Sequence, residues 1–253
     1  MGVTITVLGC DASYPAPGGA CSGYLVESGS TSVWLDAGTG TMANLERYTD
    51  IDALDGIVLS HAHPDHWTDV CVYHHLVKWY RPRSGVVVCS TARVRELVEA
   101  VNGEVAPLDW RVVDETSKVK IGGISLSFSR TDHPPETLAV RLEGLGAAVA
   151  YSADTGPAWS MRSLGARGVG GPHDQGIGLA LVEATLDPEH EGAVQHLSAR
   201  QAGQLAEDAG VRALVLTHID PDVDHERQLA EAKTTFRGPV SLATVGARYE
   251  VLP

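Results

Sequence analysis

The hexapeptide HAHPDH at residues 61–66 concentrates three imidazoles and a carboxylate directly after the apolar run Gly56-Ile57-Val58-Leu59-Ser60. His61 and His63 are two apart, so in an extended turn they point the same way and can grip one cation. Asp65 and His66 are adjacent, and Pro64 fixes their entry into a following helix, where they can hold a second ion. Imidazole with carboxylate suits zinc, manganese or iron, and the lack of cysteine in the cluster argues against a purely structural zinc site. More ligands must come from distant parts of the chain. The candidates are His133 in RTDHPPET, Asp154 in YSADTGP and His218 in LTHID. Any one of these alone is more ordinarily a surface or hydrogen-bonded core group; the cluster changes that balance.

A layered α/β fold is what could bring such residues together. Val3, Ile5 and Val7 alternate with Thr4 and Thr6, the period of a strand with two unlike faces. Short apolar runs follow at 23–26, 32–35, 57–59 and 86–88. After His66, the residues Trp67, Val70, Cys71 and Val77 recur at helical spacing, and 91–100 predicts a second helix opened by a Ser/Thr cap. In the second half Ile124, Leu126 and Phe128 alternate with serines, 138–140 and 147–151 predict strands, and 179–182 and 213–216 are buried runs. Helices are expected over about 198–209 and 224–236. Five apolar runs end in a ligand-capable or carboxylate group: Asp36, His61 with His63, Asp154, Glu183 and His218. Strand ends of layered α/β folds converge on one sheet edge, so the pattern collects acids and imidazoles at one rim.

At 253 residues and 43% hydrophobic side chains, the chain can fill one sizeable core. The expectation is a single domain over 1–253, with pseudo-repeat halves of about 1–115 and 116–253. No apolar stretch approaches the ~20 residues of a bilayer span, and MGVTITVLG lacks the regions of a secretory signal, so no membrane association and a cytoplasmic location are expected. Cys10, Cys21, Cys71 and Cys89 lack CxxC spacing and read as reduced, mostly buried thiols. The 32 acidic against 19 basic side chains give a net charge of -13, which repels polyanions and disfavours a long nucleic-acid partner.

HAHPDH matches the HxHxDH motif of the metallo-β-lactamase fold hydrolases, and the resemblance covers nearly the whole chain. VLGCDASYPAPGGACSGYLVE and VWLDAGTGT resemble that superfamily's opening strands, and DHPPETLAVRL, YSADTGP, LVEATL, VQHLSARQAG and LVLTHI resemble its later motifs in order. The resemblance implies a four-layer αββα sandwich of two mixed sheets flanked by helices. It implies one divalent metal on His61, His63 and His133, a second on Asp65, His66 and His218, and Asp154 bridging them. Asp36 would orient a ligand histidine from behind. The ions are expected to be zinc, with manganese or iron as alternatives. Two cations ~3.5–4 Å apart lower the pKa of shared water to about 7, which implies hydrolysis by a bridging hydroxide.

Glu183-Ala184-Thr185 and His196-Leu197-Ser198 resemble the phosphodiesterase branch, typified by ribonuclease Z and related cyclic-nucleotide phosphodiesterases. The resemblance implies that His196 bonds a phosphate oxygen or protonates the leaving alkoxide, steered by Glu183. Asp65, His196 and Glu183 are therefore the candidate catalytic residues. Ribonuclease Z carries a long tRNA-gripping arm between the segments matching His133 and Asp154, whereas here only a short strand pair, 137–151, fills the space. With the acidic charge, this favours a small phosphodiester as the substrate. The SADTGP, EATL and HLSARQAG context is most similar to cyclic-AMP phosphodiesterases of actinobacterial type, implying a 3′,5′-cyclic nucleotide. Alternatives on the same metal core are an RNA endonuclease, a lactone or thioester hydrolase and, last, a non-catalytic metal-binding module. Superfamily relatives are often dimers, so a homodimer is a further expectation.

The remaining candidates have plainer readings. His74 and His75 read as partly buried or solvated helical residues, and His190 and His225 as surface. Trp67, Trp79 and Tyr80 could stack on a base, yet their helical spacing among aliphatic neighbours makes core the preferred reading. Arg81 and Arg83 flank Pro82 as a solvated helix end. His173 and Asp174 lie in the Gly- and Pro-rich loop 165–178, and would meet a substrate only if that loop closed over the site.

Overall fold

The computed structural model describes residues 2–165 and 176–253. Its first half forms β1 (Val3–Gly9), β2 (Gly23–Ser28), β3 (Thr31–Ala37), the short α1 (Thr41–Leu45), β4 (Gly56–Leu59), α2 (Thr68–His75), β5 (Val87–Ser90), α3 (Ala92–Asn102) and β6 (Asp109–Val112). The second half forms β7 (Lys118–Ile121), β8 (Ile124–Arg130), β9 (Leu138–Gly144), β10 (Ala147–Tyr151), β11 (Leu179–Glu183), α4 (Ala199–Ala209), β12 (Leu214–Thr217), α5 (His225–Thr235), β13 (Val240–Leu242) and β14 (Arg248–Val251). Two seven-stranded mixed sheets result, ordered β14-β1-β2-β3-β4-β5-β6 and β13-β12-β11-β10-β9-β8-β7.

Strand alternation builds the layers. In β3, Val33 and Leu35 enter the core between the sheets, while Trp34 between them faces the opposite way, toward Val70, Tyr73 and Val77. In β11, Leu181 faces the inter-sheet core and its neighbours Ala180 and Val182 pack with Ala202 and Ala206 of α4. Each sheet thus has one face on the other sheet and one on helices, which is the αββα sandwich. Among the described residues no helix is long and apolar enough to cross a membrane.

Four strands, β6, β7, β13 and β14, escaped the sequence reading, as did α1. Each of these strands spans only three or four residues, most of them exposed or half-buried, and alternation over so short a run does not stand out as a period. β14 returns to the first sheet and pairs antiparallel with β1, Val251 opposite Val3, so that sheet closes with residues from the chain's far end.

Two local expectations need correction. Thr91 has the extended backbone of a helix cap, but its fully buried hydroxyl makes no hydrogen bond and caps nothing. Trp67 is in the core, whereas Trp79 and Tyr80 are 63% and 73% exposed. Beyond His75 the helix widens into a π turn over Leu76–Tyr80, closed by Arg81 N–H donating to the Leu76 carbonyl at 2.9 Å. The wider turn slips the helical phase, and only Val77 within it remains buried.

Candidate metal centre

The parallel strands deliver their C-terminal ends to one rim. β3 runs parallel to β4, and β10, β11 and β12 run parallel to one another. Asp36 is the second-last residue of β3, His61 lies just beyond β4, Asp154 beyond β10, Glu183 at the end of β11 and His218 directly after β12. His133 follows β8. Asp36, Ala153 and His218 turn sharply there with φ of 52°, 50° and 49°, and Ser13 on the adjoining loop has φ 57°. Left-handed backbone at non-glycine residues costs roughly 1–3 kcal/mol each and concentrates at functional sites.

All seven residues expected to ligate metal come together here. His61, His63, His133 and Asp154 form one group of potential donors; Asp65, His66 and His218 form a second. Asp154 faces both. Its Oδ2 lies 3.4 Å from His61 Nε2 and 3.8 Å from His133 Nε2, while its Oδ1 lies 3.3 Å from His66 Nε2 and 3.6 Å from His218 Nε2. Within the groups, His133 Nε2 is 3.2 Å from His63 Nδ1, His66 Nε2 is 3.3 Å from His218 Nε2, and His218 Nε2 is 3.2 Å from Asp65 Oδ2. Donors 2.0–2.1 Å from a tetrahedral zinc stand about 3.3–3.4 Å apart, so these separations fit a shared cation. Buried His61 Nε2 and Asp154 Oδ1 have no hydrogen-bond partner, which is costly unless a cation completes them.

Hydrogen bonds behind the rings leave their inward nitrogens bare. Asp36 is fully buried and its Oδ2 accepts from His66 Nδ1 at 2.7 Å. Ser60 donates to Asp36 through both N–H and hydroxyl at 2.7 Å, so its oxygen is left to accept from His61 Nδ1 at 3.0 Å. Tyr151 donates to the same Asp36 oxygen at 2.8 Å. Thr185 gives its proton to Glu183 Oε2 at 2.8 Å and accepts from His218 Nδ1 at 2.9 Å. His133 Nδ1 donates to the Gln195 carbonyl at 2.8 Å. Asp36 thus holds the candidate ligand His66 from behind. Ser60 and Tyr151, which sequence reasoning missed, hold Asp36; Ser60 ends an apolar run beside the motif and was within reach, but nothing local marks Tyr151.

Electrostatics favour a cation as well. Burial drives the His61 pKa down to about 4, with His66 adding to it, so the ring is neutral with a free lone pair. Burial and then His133 lower His63. Burial opposes ionisation of Asp65 and Asp154, yet hydrogen bonds from His218 and His66 hold Asp65, and the charges of His218 and His66 hold Asp154, well below the usual carboxylate range. Burial opposes charge on His66, but Asp154 and Asp36 raise its pKa well above the usual imidazole range, so a cation bound there displaces a proton. Anionic oxygens among imidazole nitrogens, without a thiol in either group, make a hard-to-borderline donor set for a divalent metal.

A family model for the beta-lactamase superfamily domain matches residues 31–219. The chain belongs to the beta-lactamase superfamily. An uncharacterized protein of Mycobacterium tuberculosis (strain ATCC 25618 / H37Rv) is 32% identical over 268 residues, covering 99% of this chain and 93% of that protein. The probable metallo-hydrolase YhfI of Bacillus subtilis (strain 168) is 28% identical over 97% of this chain and 99% of its own. The crystal structure of YhfI superposes with a TM-score of 0.85 at 25% identity, covering 98% of this chain and 99% of that one. A ribonuclease Z of Methanopyrus kandleri is 27% identical over 90% of this chain and 91% of its own. With its His/Asp clusters, this superfamily member is a metallo-hydrolase.

Beside the metal groups of this hydrolase stands a further pair. His196 Nδ1 donates to Glu183 Oε1 at 2.9 Å, and a ring nitrogen of His196 lies within 4.8 Å of donor atoms of Asp154 and His218. Glu183 is itself clamped by the Thr155 N–H at 2.6 Å, the Leu197 N–H at 3.2 Å and Thr185. Burial opposes charge on His196, but the Glu183 hydrogen bond and charge outweigh it and raise its pKa to about 9.

The other candidates lie apart. His74 is buried structurally, its Nε2 donating to the Ala106 carbonyl at 2.7 Å and its Nδ1 accepting from Asn102 at 2.7 Å. His75, His190 and His225 are exposed, Arg81 pairs loosely with Asp52 at 3.8 Å, and Arg83 donates to the Ile51 carbonyl at 3.2 Å. The four cysteines are free; Cys21 and Cys89 are buried, Cys10 and Cys71 half-buried. His173 and Asp174 fall outside the described residues.

Proposed function

We propose that this metallo-hydrolase cleaves small phosphodiesters, 3′,5′-cyclic nucleotides among them, at a centre of two divalent ions, zinc foremost. The observation that carries the reading is the Glu183–His196 pair set against the metal groups. His61, His63 and His133 would hold one ion, Asp65, His66 and His218 the other, with Asp154 shared. Bound divalent metal supplies Lewis-acid polarisation of phosphoryl oxygens and activation of water. His196, kept protonated by Glu183, donates a hydrogen bond to a non-bridging phosphate oxygen or delivers its proton to the leaving alkoxide. Asp65, ionised beside the same imidazoles, orients the attacking water. Esters of carbon do not specifically require such a charged donor on the leaving side.

The test is hydrolysis of bis(p-nitrophenyl) phosphate with zinc or manganese, alongside 3′,5′- and 2′,3′-cyclic nucleotides, linear dinucleotides and a lactone. His196→Ala is expected to lower turnover by about 10²-fold or more while metal content stays at the wild-type level. Wild-type turnover in that variant would remove the role assigned to His196. The similarity to a ribonuclease Z favours a second reading, an RNA endonuclease. Against it stand the net charge of -13 and the short β9–β10 connection at Leu145-Gly146, and cleavage of a precursor tRNA at a single position would establish it instead.

A further inference from the structure

Three ligand imidazoles lean on side chains of the rigid frame: His61 on Ser60, His66 on Asp36 and His218 on Thr185. His133 differs. Its Nδ1–H donates to a main-chain carbonyl, that of Gln195, in a mostly exposed stretch of chain whose regular structure is one 3-10 turn at Pro188–His190. That stretch, residues 187–196, ends on His196, so one loop carries both the acceptor that orients His133 and the imidazole facing the centre. At its base the loop is closed by Leu186 N–H donating to the Leu197 carbonyl at 2.9 Å. Between base and tip stands Glu191, half-buried among exposed neighbours. Its Oε1 accepts from the Ser198 hydroxyl at 2.6 Å and its Oε2 from Arg200 Nη2 at 2.5 Å. Ser198 is also the cap of α4, accepting from Gln201 N–H at 3.2 Å, and α4 packs on the second sheet. The carboxylate of Glu191 therefore spans from the loop to a fixed helix start. Two further side-chain ties hold this loop: at its end His196 donates to buried Glu183 at 2.9 Å, and nearer its start Glu189 pairs with Arg227, an exposed pair of a kind that holds little.

We propose that Glu191 is a positioning residue: by tying the loop 187–196 to the first turn of α4, it sets the Gln195 carbonyl against His133 and so fixes the donor geometry of the His61, His63 and His133 group. Glu191 touches neither metal nor substrate and acts through Gln195. The inference rests on the metal centre and not on the identity of the substrate. Removing hydrogen-bond partners of ligand histidines costs 10–100-fold in metal affinity, and a residue one step further back belongs at the low end, about tenfold.

The experiment uses full-length protein stripped of metal and titrated with Zn²⁺ against a chromophoric chelator, with ¹⁵N NMR of the imidazole rings before zinc is added. Glu191→Ala is expected to weaken zinc binding about tenfold and to move the His133 ring from one Nδ1–H tautomer toward an averaged pair, with the His61, His66 and His218 signals unchanged. Glu191→Gln, which keeps the acceptor for Ser198, recovers most of both effects. Arg200→Ala removes one anchor from an exposed side chain, so it keeps the test open should Glu191→Ala fail to fold, and the same His133 change is expected at smaller size. Unchanged His133 signals in a folded variant, or equal disturbance of all four histidines, would overturn the proposal. Inactivity toward phosphodiesters leaves this test untouched.

Discussion

Asp36 receives four hydrogen bonds in a fully buried position: two from Ser60, one from His66 and one from Tyr151. A buried carboxylate is costly unless its lone pairs are filled, and here the filling groups include a metal-ligand candidate. Asp36→Asn replaces an acceptor with an amide N–H directed at donors. We expect zinc affinity to fall roughly 10–100-fold, measured by metal content after dialysis against a chelator. Tyr151→Phe, which removes one donor and keeps the carboxylate, should cost much less. Thr185 links Glu183 to His218, so Thr185→Val should lower both metal affinity and turnover, unlike His196→Ala, which should lower turnover alone. A variant of Thr185 with wild-type metal affinity would show that His218 does not depend on that hydroxyl.

At the scale of elements, two glycines separate stability from site geometry. A Cβ on Gly38, just past β3, would stand 2.0 Å from the Asp65 carbonyl, a backbone atom of the ligand loop. Gly38→Ala must therefore displace the HAHPDH turn, and we expect impaired metal binding as well as a lower thermal midpoint. A Cβ on Gly203 of α4 would stand 2.6 Å from the Ala232 carbonyl of α5, an atom of the packing between these two helices and not of a loop that carries a candidate ligand. Gly203→Ala should destabilise by roughly 1–3 kcal/mol in urea denaturation, with zinc stoichiometry unchanged in the folded protein. Equal loss of metal from both variants would mean that the centre reports only global stability.

For the whole molecule, the centre draws its donors from both halves: Asp65 and the HAHPDH histidines from loops of the first sheet, His133, Asp154 and His218 from loops of the second. A bound cation would staple the sheets together at one rim. Ligand at 100 times its dissociation constant contributes about 2.7 kcal/mol, so chelation should lower the calorimetric midpoint by several degrees, reversibly on adding zinc. Acid should release the metal too, because the imidazoles must be unprotonated to bind and each proton taken up competes with the ion. Metal content that stayed constant as pH falls from neutral to 4 would contradict a histidine-based centre.

Local information carried much of this protein. Period-2 runs with turn residues between them specified the main strands, the helices expected over about 198–209 and 224–236 are α4 and α5, and HAHPDH announced its chemistry because all four donors sit within one turn of chain. The endings of five apolar runs even pointed to the rim where Asp36, His61, Asp154, Glu183 and His218 meet. Other features lay beyond that reach. The edge strands, three or four residues each, are too short for their alternation to be read as a period, and one π turn was enough to put Trp79 and Tyr80 in solvent. Which oxygen of Asp154 faces which histidines, that Tyr151 reaches Asp36, and that His133 depends on a carbonyl 62 residues away follow from strand register and the stacking of two sheets. Those are non-local quantities: donor types are properties of residues, but distances between donors exist only once the layers have packed.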